Sequence, residues 1–191
     1  MTDSELRAGG KRERLVAAAV AAFYAHGVAT TSLADIAQAA GIPVGNVYYY
    51  FKAKSDIVAA VIDAHVQQIR AQLAAIEAAH AAPRERLKAL FTAMAGESDL
   101  IAQFGCPLGS LCQEISKHEE GESAPDASGL MRLPLDWCGQ QFRAMGRDDA
   151  AELAAQAFAA YQGTALLSSA LRDPGLLERE SRRIAAWVDS L

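Results

Sequence analysis

Residues 46 to 54, Asn-Val-Tyr-Tyr-Tyr-Phe-Lys-Ala-Lys, bring together an amide, three phenols and two ammonium groups. Such groups on a short helix bind rather than catalyse. A tyrosine hydroxyl donates to a phosphate oxygen, and its ring packs on a sugar or a thymine methyl. Asn46 can pair with an adenine edge or bond a phosphate. Gly45 permits close backbone approach. Lys52 and Lys54 supply cations for a phosphate backbone, and Thr30, Thr31 and Ser32 place three hydroxyls upstream.

Catalytic chemistry has weaker support. The histidines His26, His65, His80 and His118 are scattered, with neither metal-ligand spacing nor a nucleophile arrangement. The run His118, Glu119, Glu120, Glu122 reads first as a solvated charged loop. The expectation is a non-enzymatic protein without cofactor or metal. Three cysteines without a dense pattern suit a reducing, cytoplasmic setting. The longest apolar run, Leu15 to Ala25, falls short of the roughly 20 residues of a membrane span, and the first residues show no secretory h-region. No membrane partner is expected.

The elements that must position these groups are helical. Alanine, leucine and other strong helix formers dominate, and no stretch alternates apolar with polar residues. The fold class is all-α. The pattern predicts helices over about 11–26, 32–40 and 43–51, then from Ser55 to about residue 80. A further helix opens at Pro83, and a turn covers about Asp99 to Phe104. The next helix opens near Pro107, and 121–129 is a polar loop. Helices follow over about 130–145, 148–172 and 174 to the end.

Ser32 with Asp35 is a capping pair for the second helix, and Gly41 ends it. The third helix follows after a tight Gly-Ile-Pro turn. That is a helix-turn-helix, whose second helix enters a DNA major groove. Val47 and Phe51, four apart, share the core face, with Leu33, Ile36 and Phe23 opposite. Tyr49 must point outward, and Tyr48 and Tyr50 flank the seam. The net charge is −5, with six Lys/Arg against five Asp/Glu in residues 1–56 and twelve against eighteen in the remainder. Nucleic-acid contact is left open for the head alone. A helical protein-interaction module is the rival reading, although it requires no outward tyrosines and lysines.

Residues from about 11 to 60, through TTSLADIAQAAG, GNVYYYF and KAKSD, resemble the DNA-binding domain of the TetR family of bacterial repressors. The resemblance covers about a third of the chain. It implies a helix-turn-helix head over 1–54 and a larger helical effector-binding and dimerisation domain over 55–191. It also implies a homodimer on a pseudo-palindromic double-stranded operator, released by a small-molecule effector. By this likeness Gly45, Asn46, Tyr48, Tyr49, Tyr50 and Lys54 are DNA contacts. Many members carry Ser then Lys or Arg where this chain has Pro43 and Val44. Pro43 suits a first helical turn but lacks a serine's hydroxyl. Val44 can pack on a thymine methyl but cannot make an arginine's bidentate guanine contact. Base readout is therefore expected to rest on Asn46 and Tyr49.

The middle helices offer an apolar effector lining in Phe91, Met94, Ile101, Phe104, Leu108, Leu111, Met131, Leu135, Trp137 and Phe142. The last two helices offer a dimer interface in Phe158, Tyr161, Gly163, Ala165, Leu166, Ser169, Leu177, Ile184, Trp187 and Val188. Pro107 is a natural first helical residue and puts Cys106 at an N-cap, a setting that stabilises a thiolate. The stretch resembles a Gly-Cys subgroup of TetR-like regulators, some of which sense electrophiles or oxidants. Cys106 is accordingly a candidate sensor, beside the plainer role of a small residue capping a helix.

Overall fold

The computed structural model describes residues 3–118 and 125–191. Among these, ten α-helices and no strand occur. The acidic run 119–122 and the first part of the expected 121–129 loop lie outside them. The chain divides into two compact units, Met1–Val66 with Ser110–Ala127, and Gln67–Gly109 with Ser128–Leu191. Packing thus assigns residues 54–66 and 110–127 to the same body as the head, whereas the division expected from sequence fell at 54/55.

In the first unit, α1 spans Asp3–His26, α2 Leu33–Ala40 and α3 Val44–Tyr50. α1 begins earlier than the expected Lys11, since Glu5 to Ala8 are strong helix formers. Leu15, Ala19 and Phe23 are buried along one stripe of α1, against Ile36, Ala37, Val47 and Phe51 in the same core. The stripe follows the 3.6-residue period. α4, Lys54–Ala79, contributes Ile57, Val58 and Val61 to this core. The part of α7 (Pro107–His118) from Ser110 onward adds Leu111 and Ile115 to the buried set.

In the second unit, α5 (Pro83–Ala95), α6 (Ser98–Phe104), α8 (Gly129–Ala144), α9 (Ala150–Leu171) and α10 (Gly175–Ser190) join the second half of α4. α6 replaces the turn expected over 99–104. Ile101 and Ala102 are buried as α6 packs on α9. The guanidinium of Arg172, at the left-handed C-cap of α9, donates to the carbonyls of Ala102 and Gln103 at the end of α6. Long-range packing here decides what local pattern left open.

The core of this unit is aromatic. Phe91 meets Phe158 at 5.8 Å and Tyr161 at 6.3 Å between ring centroids, and Phe142 meets Trp187 at 5.9 Å. The Tyr161 hydroxyl donates to the Met94 carbonyl at 3.3 Å, and the buried Ser181 hydroxyl to that of Phe91 at 3.0 Å. The structure therefore turns Phe158, Tyr161, Ala165, Leu177, Ile184 and Val188, expected at a dimer interface, into the chain's own interior. Helical spacing identified an apolar face but not which body it faced. α9 is apolar on its other side too. Leu166, Leu167 and Leu171 are 70%, 53% and 67% exposed.

Candidate nucleic-acid interface

The geometry of α2 and α3 follows from their ends. Ser32 is the N-cap of α2, and its Oγ accepts from the Asp35 N–H at 3.2 Å. The Asp35 carboxylate turns back to accept from the Ser32 N–H at 2.8 Å and its hydroxyl at 2.6 Å. These bonds hold the Asp35 carboxyl below its ordinary range. At the other end Gly41 takes φ +62°, a left-handed conformation that favours glycine, and the Ile42 N–H closes on the Ala37 carbonyl at 2.9 Å. Arg14 of α1 donates to the Ala40 carbonyl at 2.5 Å. The turn between α2 and α3 is thereby fixed from three sides.

α3 then shows two faces. Val47 and Phe51 are buried, and the Arg12 guanidinium lies 5.4 Å from the Phe51 ring centroid. Away from the core Val44, Tyr48 and Tyr49 are 43%, 52% and 73% exposed, with Tyr49 opposite Val47. Tyr50 is half-buried and meets Tyr49 edge-on, 4.9 Å between ring centroids. Pro43 and Gly45 are exposed and Asn46 is half-buried. Large apolar rings open to solvent are unusual for a surface without a partner.

The flanking groups divide. Lys52 donates to the Tyr48 carbonyl at 2.9 Å, near the C-terminal end of α3, and Lys54 to the Ala29 carbonyl at 3.2 Å. The Lys52 ammonium thus sits at the end of the tyrosine helix, and that of Lys54 at the turn between α1 and α2. Asp56 accepts from the N–H groups of Lys52 and Ala53 at 2.7 and 3.0 Å. A carboxylate of the chain, rather than an outside anion, fills those donors at the start of α4. Ser32 and Thr30 are exposed, but Thr31 is only 3% exposed and its hydroxyl donates to the Gly27 carbonyl at 2.7 Å. Thr31 therefore shapes the turn before α2 and offers nothing to a ligand.

Of the apolar effector candidates in the second unit, Phe91, Ile101, Trp137 and Phe142 are buried core. Met94, Phe104, Leu108, Met131 and Leu135 are half-buried. Cys106 is half-buried, and its sulfur lies 3.6 Å from where a Cβ on Gly109 would stand, with the Gln162 amide oxygen 3.4 Å from the same point. Gln162 in turn donates to the Met131 sulfur at 3.6 Å. Leu111 belongs to the first unit. Among the described residues no three His, Cys, Asp or Glu side chains are grouped to hold a metal ion, and no helix is long and apolar enough to cross a membrane.

Residues 15–61, the interval that builds this surface, match the family model for bacterial regulatory proteins of the tetR family. The head of the chain carries the DNA-binding region of the tetR family. It is 46% identical over 52 residues to the HTH-type transcriptional regulator TtgR of Pseudomonas putida, a match spanning 27% of this chain and 25% of TtgR. An HTH-type transcriptional regulator of Mycobacterium tuberculosis is 28% identical over 185 residues, 92% of each chain. A solved TetR transcriptional regulator from Chloroflexus aurantiacus shares the fold, with a TM-score of 0.80 at 24% identity over 96% of both chains. Sequence likeness to TtgR thus covers about a quarter of either chain, whereas the likeness in fold to the Chloroflexus regulator covers 96% of both.

The sequence missed residues that act over long separations. The sequence pattern gives Arg12 and Arg14 no role, yet one covers Phe51 and the other caps α2. Glu114 carried no sequence signal at all, since its partner Val28 lies 86 positions away.

Proposed function

We propose that the chain is a ligand-responsive transcriptional regulator, a homodimeric repressor that binds a pseudo-palindromic DNA operator through α3 and is released by a small hydrophobic or electrophilic effector. The observation that carries this reading is the exposure of Val44, Tyr48 and Tyr49 on a short helix whose other face is locked into the core. Rigid rings and hydroxyls suit phosphate, sugar and thymine-methyl contacts. Asn46 and Tyr49 supply base readout where Val44 replaces the more usual cation. Lys52, Lys54, Thr30 and Ser32 flank the same surface. A dimer presents two such helices roughly 34–36 Å apart, to meet successive major grooves. The half-buried Met94, Phe104, Leu108, Met131 and Leu135, with Cys106, supply the effector's surroundings. An effector that prefers a different spacing lowers DNA affinity through its differential binding to the two states.

The test is fluorescence anisotropy on DNA from upstream of the chain's own gene, together with selection from random duplexes. Enrichment of a pseudo-palindrome is expected, with Tyr49→Ala and Asn46→Ala each weakening it by roughly tenfold or more and relaxing base preference. Failure to enrich any duplex overturns the reading and favours a protein-interaction module.

A further inference from the structure

The turn that delivers α2 is held from outside the head's contiguous sequence. α1 ends at His26, and Gly27 takes φ +86° to redirect the chain. The next N–H, that of Val28, donates to the Glu114 carboxylate of α7 at 2.6 Å. Both carboxylate oxygens lie 3.1 Å from where a Cβ on Gly27 would stand. Glycine is therefore needed here twice over, for its left-handed conformation and for the space Glu114 occupies. Around the same turn the Thr31 hydroxyl closes on the Gly27 carbonyl and that of Thr30 on the His26 carbonyl. Residues 27–31 are thus a compact knot tied to α7 by one charge-assisted bond, and Ser32 immediately caps α2.

We propose that Glu114 is a positioning residue for DNA binding: its bond to the Val28 N–H over Gly27 fixes the α1–α2 turn, and with it the direction in which α2 and α3 present the tyrosine face. The proposal rests on the DNA-binding reading above. Glu114 touches neither α2 nor α3 in this role. It acts through the turn, and any displacement of α7 that withdraws the carboxylate frees the turn. A bond of this type to a charged acceptor, at 2.6 Å, is among the stronger ones available.

The position gives opposite predictions for position and for charge. Glu114→Gln and Glu114→Ala remove the same negative charge. If that charge acted only through the field around the DNA, both variants would bind DNA more tightly and to the same degree. If Glu114 positions the turn, glutamine keeps a carbonyl acceptor for Val28 and alanine does not. The experiment measures anisotropy of the full-length wild type, Glu114→Gln and Glu114→Ala on a duplex enriched by the wild type, across a salt series. Hydrogen exchange at the Val28 amide and thermal melting are measured on the same samples.

Expected are about tenfold weaker binding for Glu114→Ala, near-wild-type binding for Glu114→Gln, and a salt slope unchanged in both because no phosphate contact is lost. Val28 exchange accelerates in the alanine variant while the melting temperature of Glu114→Gln stays at that of the wild type. Equal tightening in both variants, or wild-type binding and Val28 exchange in Glu114→Ala, overturns the proposal. A wild type that enriches no duplex overturns the DNA-binding reading and with it the role of Glu114 in DNA binding. Failure of the two ideas is distinguished by whether the wild type itself binds.

Discussion

The indole N–H of Trp137, on α8, donates to the Glu77 carboxylate of α4 at 2.7 Å. The partners are unlike. Trp137 is buried, whereas Glu77 is exposed. Removing Glu77 leaves a buried donor without its acceptor, and the loss of that acceptor costs about 1–3 kcal/mol. Glu77→Ala is therefore expected to lower unfolding stability by about that amount, and Glu77→Gln, which keeps an acceptor oxygen, by appreciably less. Urea titration followed by tryptophan fluorescence measures both. Equal stability in the two variants and the wild type would show that the bond contributes nothing.

The three cysteines separate by burial. Cys138 on α8 is fully buried, and desolvation pushes its thiol well above the ordinary range. Cys106 and Cys112 are half-buried. In the native protein a maleimide at neutral pH is expected to reach no more than two thiols per chain, with Cys138 labelled only after denaturation. Stability carries the same signature. Folded Cys138 stays neutral while an unfolded thiol ionises near its ordinary value, so its contribution is fully present below about pH 9 and falls as pH rises beyond it. Cys138→Ala should flatten that alkaline decline in a pH series of urea midpoints. Rapid native labelling of Cys138 would contradict the burial.

The head was legible because its signals are local. The Ser32–Asp35 cap, the Gly41 turn and the four-residue spacing of Val47 and Phe51 each act within one helical turn, and each stands in the structure as the pattern implies. Propensity and periodicity suffice where neighbours in sequence are neighbours in space. The second unit was less legible. α6 forms because Ile101 and Ala102 find α9 and because Arg172 closes its end, partners about 70 residues away. Phe158, Tyr161 and Ala165 carry the right spacing for an interface, but period alone does not distinguish an inner apolar face from an outer one. Thr31 misled for a related reason: a hydroxyl near a helix start satisfies its own turn as readily as a phosphate.

The exposed side of α9 gives the remaining prediction. Leu166, Leu167 and Leu171 stand in solvent on one helix whose opposite side is core. Single exposed leucines are ordinary, but three within one and a half turns make a contiguous patch. The proposed homodimer would cover it, and Gly163, exposed one turn earlier, permits close approach of a partner helix. Leu166→Glu combined with Leu171→Glu puts two carboxylates into that contact while touching no residue of the core. Light scattering coupled to size exclusion is expected to show a dimer for the wild type and a monomer for the double variant, with helical content unchanged by circular dichroism. Binding to a pseudo-palindromic duplex should fall by at least about a hundredfold, since one head alone loses the effective concentration that a linked second head provides. A variant that remains dimeric would remove α9 from the interface. A variant that becomes monomeric but binds the duplex undiminished would remove dimerisation from DNA recognition.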